Sequence, residues 1–262
     1  MHPYIIFGDI KISSFNLMVG LGIIVALCSF EHFERQKTSD LIIDNLMMCI
    51  GLSIPFSFLG AMLFDKIMHF RNSNFLKHIF EYTGMSFVGG LLAAALCFST
   101  IYFIVFHSYS GFTNALDIIV PYIALGHAFG RIGCFLGGCC YGVPVKYVLG
   151  VRYPKESLAY LKYGDVPLFP SQLVEAVFLF ILFLGLKKRK NAALMYIVLY
   201  SIYRYIAEYW RGDNRGDYFF GFFSPSQLIS FCTVFITIIL FIIHKFIRKK
   251  TIDTCSLQKD KK

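Results

Sequence analysis

A single arginine, Arg131, lies inside the glycine-rich apolar segment GHAFGRIGCFLGGCCYG, residues 126–142. A second, Arg204, lies in AALMYIVLYSIYRYIAEYW, with Glu208 four residues on. An arginine at membrane depth costs about 2.5 to 3.5 kcal/mol on insertion scales, so it normally faces a partner, an aqueous cavity or an anionic ligand. On a helix Tyr200, Arg204, Glu208 and Arg211 share one face, being spaced at i, i+4, i+8 and i+11. The planar fork of arginine makes two parallel charge-assisted bonds to phosphate. The pattern points to an anion grip, and in a bilayer the anion at hand is a phospholipid phosphate. The bland alternative is an Arg204–Glu208 pair with no ligand, which leaves Arg131 and Arg211 without a role.

Other residues admit two readings each. Gly126, Gly130, Gly133, Gly137, Gly138 and Gly142 give small-xxx-small spacings, which allow close helix approach; glycines beside Arg131 also leave room for a headgroup. Gln172 and Glu175 sit three apart near a helix start and can contact a glycerol, position a base, or simply satisfy backbone and lysine partners. His127 is either a packed, hydrogen-bonded histidine or a proton carrier. Cys134, Cys139 and Cys140 have no matching His or Cys group in the sequence to complete a zinc site. Neither metal nor cofactor is expected. Small-residue packing or a thiolate near Arg131 remain as roles for these cysteines.

These residues need elements to hold them, and the composition says which. The chain is 56% hydrophobic and 16% charged, against about 25% charged in soluble domains; the mean hydropathy is +0.61. Apolar runs predict an all-α, polytopic membrane protein with seven spans, at about 13–30, 44–64, 85–107, 115–136, 170–186, 193–211 and 226–247. Residues 1–250 read as one seven-helix membrane domain and 251–262 as a basic tail. The start, MHPYIIFGDI, has no basic n-region or cleavage site, so the mature chain is expected to begin there. Positive charge clusters at Lys187, Lys188, Arg189 and Lys190, and again after the last span. This places that loop and the C-terminus in the cytoplasm and the N-terminus outside. The two clusters supply much of the net charge of +9, which leaves no case for nucleic-acid binding. The remaining singly placed cysteines of the spans read as small hydrophobes.

Between the spans, residues 141–169 form the longest hydrophilic stretch and predict a short interfacial helix or a lid on the outer side. Residues 211–225, RGDNRGDYFFGFFSP, suit a headgroup-level aromatic belt. One phrase repeats: PSQLV at Pro170–Val174 and PSQLI at Pro225–Ile229. Proline suits the first turn of a helix, so the repeat reads as helix-start grammar.

Five motifs in order resemble the bacterial prolipoprotein diacylglyceryl transferase family. They are Phe15-Asn16-Leu17-Met18; MSFVGGLL at Met85–Leu92; GRIGCFLGGCCYG at Gly130–Gly142; FPSQLVEA at Phe169–Ala176; and YSIYRYIAEYWRGD at Tyr200–Asp213. The third is similar to the family signature Gly-Arg-Ile-Gly-Asn-Phe-x-Asn-Gly-Glu-x-x-Gly. The resemblance implies a seven-span enzyme of the bacterial cytoplasmic (inner) membrane. Such an enzyme moves a diacylglyceryl group from phosphatidylglycerol to a prolipoprotein lipobox cysteine and releases glycerol phosphate. It implies that Arg131 and Arg204 bind the phosphate and that Glu208 orients Arg204. Glu175 joins them as a candidate catalytic group, with Gly130, Gly133, Cys134, Gln172, Tyr200 and Arg211 lining the substrate.

The chain also departs from that pattern. Val88 stands where the family has a histidine proposed as the base. Cys134 and Gly137 replace two asparagines, Cys139 a glutamate and Phe169 a histidine, and Phe58 sits where an arginine is expected. Three readings follow: the family reaction with another base, such as Glu175, His127 or a cysteine; a paralogous transferase with a different acceptor such as an envelope glycan; or a non-catalytic phospholipid-binding membrane protein.

Overall fold

The computed structural model describes residues 3–7, 10–68, 86–146, 150–213 and 223–239. A hairpin of β1 (Tyr4–Phe7) and β2 (Ile10–Ser13) leads into α1 (Ser14–Glu34), then α2 (Asp40–Met68), α3 (Phe87–Phe106) and α4 (Tyr109–Gly137). A short α5 (Leu158–Tyr163) precedes α6 (Ser171–Leu186) and α7 (Ala192–Ala207), which ends in a single 3-10 turn, Glu208–Trp210. The last described helix, α8, is Pro225–Ile239. Helices fall on all seven predicted stretches. Four, α1 to α4, are long and apolar enough to cross a membrane; α6 and α8 are shorter apolar helices. At 1.5 Å per residue the 16 residues of α6 span about 24 Å, short of a hydrocarbon core of about 30 Å. The end of the seventh predicted span and the tail 251–262 lie outside the described residues.

Residues 1–26 with 119–262 form one compact unit and 27–118 another, the cuts falling within α1 and α4. In the unit 27–118, α2 packs on α3 through glycines. A methyl on Gly60 would overlap Ala93, and one on Gly89 would overlap Phe64. The Gly89-Gly90 pair of the MSFVGGLL motif therefore serves helix packing. Tyr102 anchors an aromatic cluster, stacking on Phe106 at 4.6 Å and meeting Phe112 edge-on at 5.2 Å. Arg35 ties the turn between α1 and α2 through Glu31, Asp40 and Asp44 at 3.0, 3.3 and 2.7 Å.

In the other unit, α1 lies against α4 where the sequence supplies glycine. A Cβ on Gly133 would come within 3.1 Å of Met18 and 3.2 Å of the Phe15 carbonyl, and one on Gly22 within 2.6 Å of Phe129. The predicted glycine packing is thus real for Gly126, which meets Gly22 and Ala26, and for Gly133, which meets the Phe15–Met18 motif. Gly130 has nothing within 4 Å of its Cβ position. One turn of α4 packs while its neighbour is left open beside Arg131. A buried cluster of Ala128, Leu179, Leu182, Leu186 and Ala192 joins α4, α6 and α7. The opposite face of α6 exposes Val177, Ile181 and Leu184 at about 60% each. Such outward apolar rows suit lipid.

Candidate active site

Arg131 projects from α4 toward α6 and α7. Its Nε lies 3.0 Å from Glu175 Oε1, and its Nη2 donates to the Tyr200 hydroxyl at 3.3 Å. The Tyr200 hydroxyl in turn donates to Glu175 Oε1 at 2.8 Å. Three helices therefore give one residue each to a closed polar triangle, in which the Glu175 side chain is 3% exposed and that of Arg131 13%. A buried charge needs a partner and hydrogen bonds, and Glu175 with Tyr200 supplies both. Glu175 is consequently engaged by Arg131 rather than by the outer lysines.

Arg204, one turn beyond Tyr200 on α7, lies 3.1 Å from Glu208 through Nη1 and donates from Nη2 to Ser226 Oγ at 2.9 Å. The predicted i, i+4 pair is present, and α8 adds a partner. Arg204 therefore stands one helical turn from Tyr200, whose hydroxyl bonds Arg131. The Nδ1 of His127 is 3.1 Å from the Tyr196 hydroxyl, and Tyr196 stacks on Tyr200 at 5.7 Å. Beside this group the Tyr203 ring stacks on Phe178 at 4.2 Å. The Tyr203 hydroxyl is buried with no hydrogen-bond partner among the described residues. Two guanidinium groups and several phenols thus converge in a water-poor setting, which is chemistry for gripping and neutralising an anion.

Next to this group, residues 138–146 and 150–169 fold into a small knot. Gly138 (φ +68°) has Ser157 against it with no space for a methyl. Gly142 N–H donates to the Phe169 carbonyl and Val143 N–H to the Trp210 carbonyl, both at 3.0 Å. Gly212 N–H donates to the Tyr141 carbonyl at 2.9 Å, and Gly212 touches Gly142 so closely that no side chain fits. Tyr141, Tyr153, Ala159 and Leu168 form the core of the knot. The predicted short helix is α5, capped by Ser157, which accepts from Tyr160 N–H at 3.2 Å.

Two predicted substrate contacts have other partners here. Gln172, 1% exposed, accepts from the Tyr153 hydroxyl at 3.0 Å and donates to the Cys139 carbonyl at 2.6 Å. Both ends of its amide are used to hold the knot. Burial pushes the Tyr153 phenol up to about 12, against the Gln172 bond, so it stays a donor at neutral pH. Arg211 leaves the α7 face because the helix ends at Ala207. Its Nε donates to Asp213 at 2.8 Å, and its backbone bridges to Gly142.

Cys134 is buried at the end of α4, and its sulfur, with those of Cys139 and Cys140, falls within a span of 4.8 Å. The sequence, with Cys134 five residues before Cys139, gave no sign of this convergence. Tyr196, Ser226, Tyr153 and Asp213 were also missed; only Tyr196 had a usable signal, standing one helical turn before Tyr200. Of the departures, Phe169 packs against Trp210 with ring centres 6.0 Å apart, and Phe58 is 45% exposed. The Val88 side chain and residues 214–222 lie outside the described residues.

Known proteins resemble this chain over most of its length. A protein named phosphatidylglycerol–prolipoprotein diacylglyceryl transferase 2, from Clostridium perfringens, is 34% identical to this chain over 94% of it and 95% of its own length. The corresponding transferase of Clostridium tetani is 31% identical over 92% and 96%, and that of Geobacter sulfurreducens 29% over 86% and 87%. The profile of the prolipoprotein diacylglyceryl transferase family matches residues 3–243. That match takes in both arginines, their carboxylate partners and the knot that borders them, and the chain belongs to the prolipoprotein diacylglyceryl transferase family.

Proposed function

We propose that this chain moves the diacylglyceryl group of phosphatidylglycerol onto the cysteine thiol of a prolipoprotein. The observation that carries the reading is the placing of Arg131, bonded to Tyr200, and Arg204, one helical turn beyond Tyr200, each beside a carboxylate in a chain of this family. In the reaction the thiolate sulfur attacks the glyceryl carbon and a C–S bond forms. The C–O bond to phosphate breaks, and its electron pair stays on the phosphate, which leaves as glycerol phosphate. Charge grows on that phosphate in the transition state, where preorganised donors are most effective. Arg131 and Arg204 bind it; Glu175 and Glu208 orient them. Tyr200 fixes the Arg131 fork, and the open space at Gly130 admits the headgroup. Seven spans, an outer N-terminus and a cytoplasmic C-terminus in the bacterial cytoplasmic membrane complete the proposal, supported by the helix positions and by the basic run Lys187–Lys190.

A changed acceptor, such as an envelope glycan, is the second reading. Val88, Cys134, Gly137, Cys139 and Phe169 favour it, because they stand where the family resemblance puts polar and proton-transfer groups. One experiment separates the readings: purified protein in detergent is incubated with labelled phosphatidylglycerol and a lipobox cysteine peptide, and products are followed by mass spectrometry. The diacylglyceryl thioether is the expected product. Lipid consumed without it points to a different transfer, and lipid bound but unconsumed overturns the prolipoprotein reading in favour of another acceptor or a binding role.

A further inference from the structure

Cys134, Cys139 and Cys140 come from the last turn of α4 and the turn that follows, and their three sulfurs lie within 4.8 Å of one another. Zinc binds thiolates at about 2.3 Å, which sets sulfurs in a tetrahedral site about 3.8 Å apart, so a contraction of about 1 Å closes the cluster on an ion. The backbone that carries the thiols is pinned on several sides. Cys139 N–H donates to the Cys134 carbonyl at 3.1 Å, Gln172 holds the Cys139 carbonyl at 2.6 Å and Ser171 holds the Cys140 carbonyl at 2.9 Å. Cys140 takes a left-handed conformation, φ +57°, which is costly for a residue with a side chain and concentrates at functional sites. The Cys139 thiol points inward, 3.6 Å from the Cys134 carbonyl.

We propose that Cys134, Cys139 and Cys140 form a trithiolate zinc site whose fourth position takes the acceptor thiol. Among the described residues the cluster holds these three ligands and no histidine or carboxylate. Three protein ligands with an open fourth position is the pattern of catalytic rather than structural zinc. A thiol bound to zinc is deprotonated outright. This is the service a general base would render, and Val88 stands where the family resemblance puts that base. On binding, the acceptor thiol releases its proton to solvent; the sulfur then attacks the glyceryl carbon, and the electron pair of the broken C–O bond stays on the phosphate between Arg131 and Arg204. The metal undergoes no change of oxidation state. The acceptor half of the proposal rests on the transferase reading above; the metal half does not.

The test uses full-length protein purified anaerobically in detergent. Zinc is measured per chain in the wild type, in Cys139→Ser, in the double variant Cys134→Ser/Cys140→Ser and in Cys28→Ser, which alters an exposed cysteine of α1. Stoichiometric zinc is expected in the wild type and Cys28→Ser, with loss in the other two, at unchanged gel-filtration elution. Cobalt substituted into the wild type should show sulfur-to-metal charge transfer. That spectrum should shift on adding a lipobox peptide with cysteine and stay still with its serine analogue. Chelation should lower thioether formation by about 100-fold or more, the size of a lost general base, with recovery on adding zinc. A wild type that takes up neither zinc nor cobalt, or holds a disulfide among the three cysteines in place of metal, overturns the site whatever its turnover. Cobalt bound with a spectrum indifferent to the cysteine peptide overturns the acceptor role. A spectrum that shifts without any thioether product leaves the metal site standing and sinks the transferase reading.

Discussion

The two PSQL phrases are spelled alike and do different work. At α8 the residue before Pro225 is Ser224, which caps the helix. Gln227 N–H donates to Ser224 Oγ at 3.2 Å and Ser224 N–H donates to Gln227 Oε1 at 3.1 Å, a reciprocal capping box with proline at the first helical position. At α6 the residue before Pro170 is Phe169, whose side chain has no oxygen to offer. The helix begins one residue later, at Ser171, without a side-chain cap. Gln172 is thereby released from capping and reaches across to Tyr153 and the Cys139 carbonyl. The serines diverge too: Ser226 accepts from Arg204, whereas Ser171 donates to the Cys140 carbonyl. A single residue outside the repeated phrase decides whether it serves its own helix or the site next door.

The comparison can be broken at several points. The largest effect is expected at the arginines that the two helix starts flank. Arg131→Ala and Arg204→Ala should each lower thioether formation by about 100-fold or more, the scale of a lost transition-state donor, while the protein still inserts and elutes normally. Normal turnover in either would sink the phosphate assignment. The next effect separates the glutamines. Glutamate keeps a capping box intact but cannot donate to a carbonyl. Gln172→Glu should therefore cost about 1–3 kcal/mol, by leaving the Cys139 carbonyl facing a buried carboxylate. Gln227→Glu should cost less, because its carboxylate still accepts from Ser224 N–H at the positive end of a helix. Thermal unfolding in detergent reads the difference, and equal losses would show that the two glutamines are not doing different jobs. Ser224→Ala should cost about 0.5–2 kcal/mol as a lost cap, in the same measurement. The smallest effect is expected for Ser226→Ala: turnover lowered less than ten-fold, because one neutral hydrogen bond contributes about 0.5–1.5 kcal/mol and Glu208 continues to orient Arg204.

Much of this was legible in the residues. Apolar run length is a local property, so the helices fall where hydropathy puts them. The Arg204–Glu208 pair follows from helical spacing alone. The glycines of α4 declared close packing, although only the fold shows that Gly133 meets Phe15 and Met18 while Gly130 stays open. What stayed hidden depends on chain segments far apart in sequence. Glu175 reaches Arg131 because α6 and α4 share the Leu179 and Ala128 core, and no periodicity announces that. Arg211 looked like a fourth residue on the α7 face because the pattern runs on past Ala207. The helix stops there, and Asp213 takes the guanidinium. The three sulfurs converge through a turn whose left-handed residues, Gly138 and Cys140, are adjacent to the helix end. Glycine advertises such a turn; cysteine does not.

The contact of Gly142 with Gly212 also sets an order of events during synthesis. Gly212 leaves the ribosome about 70 residues after Gly142, a lag of several seconds at about 5–20 residues per second. Until then the Val143 N–H and the Tyr141 carbonyl await partners supplied by the chain just beyond α7. The border of the arginine site is therefore sealed only after both arginines have been made, so that a chain arrested before residue 212 holds Arg131 and Arg204 beside an unfinished wall.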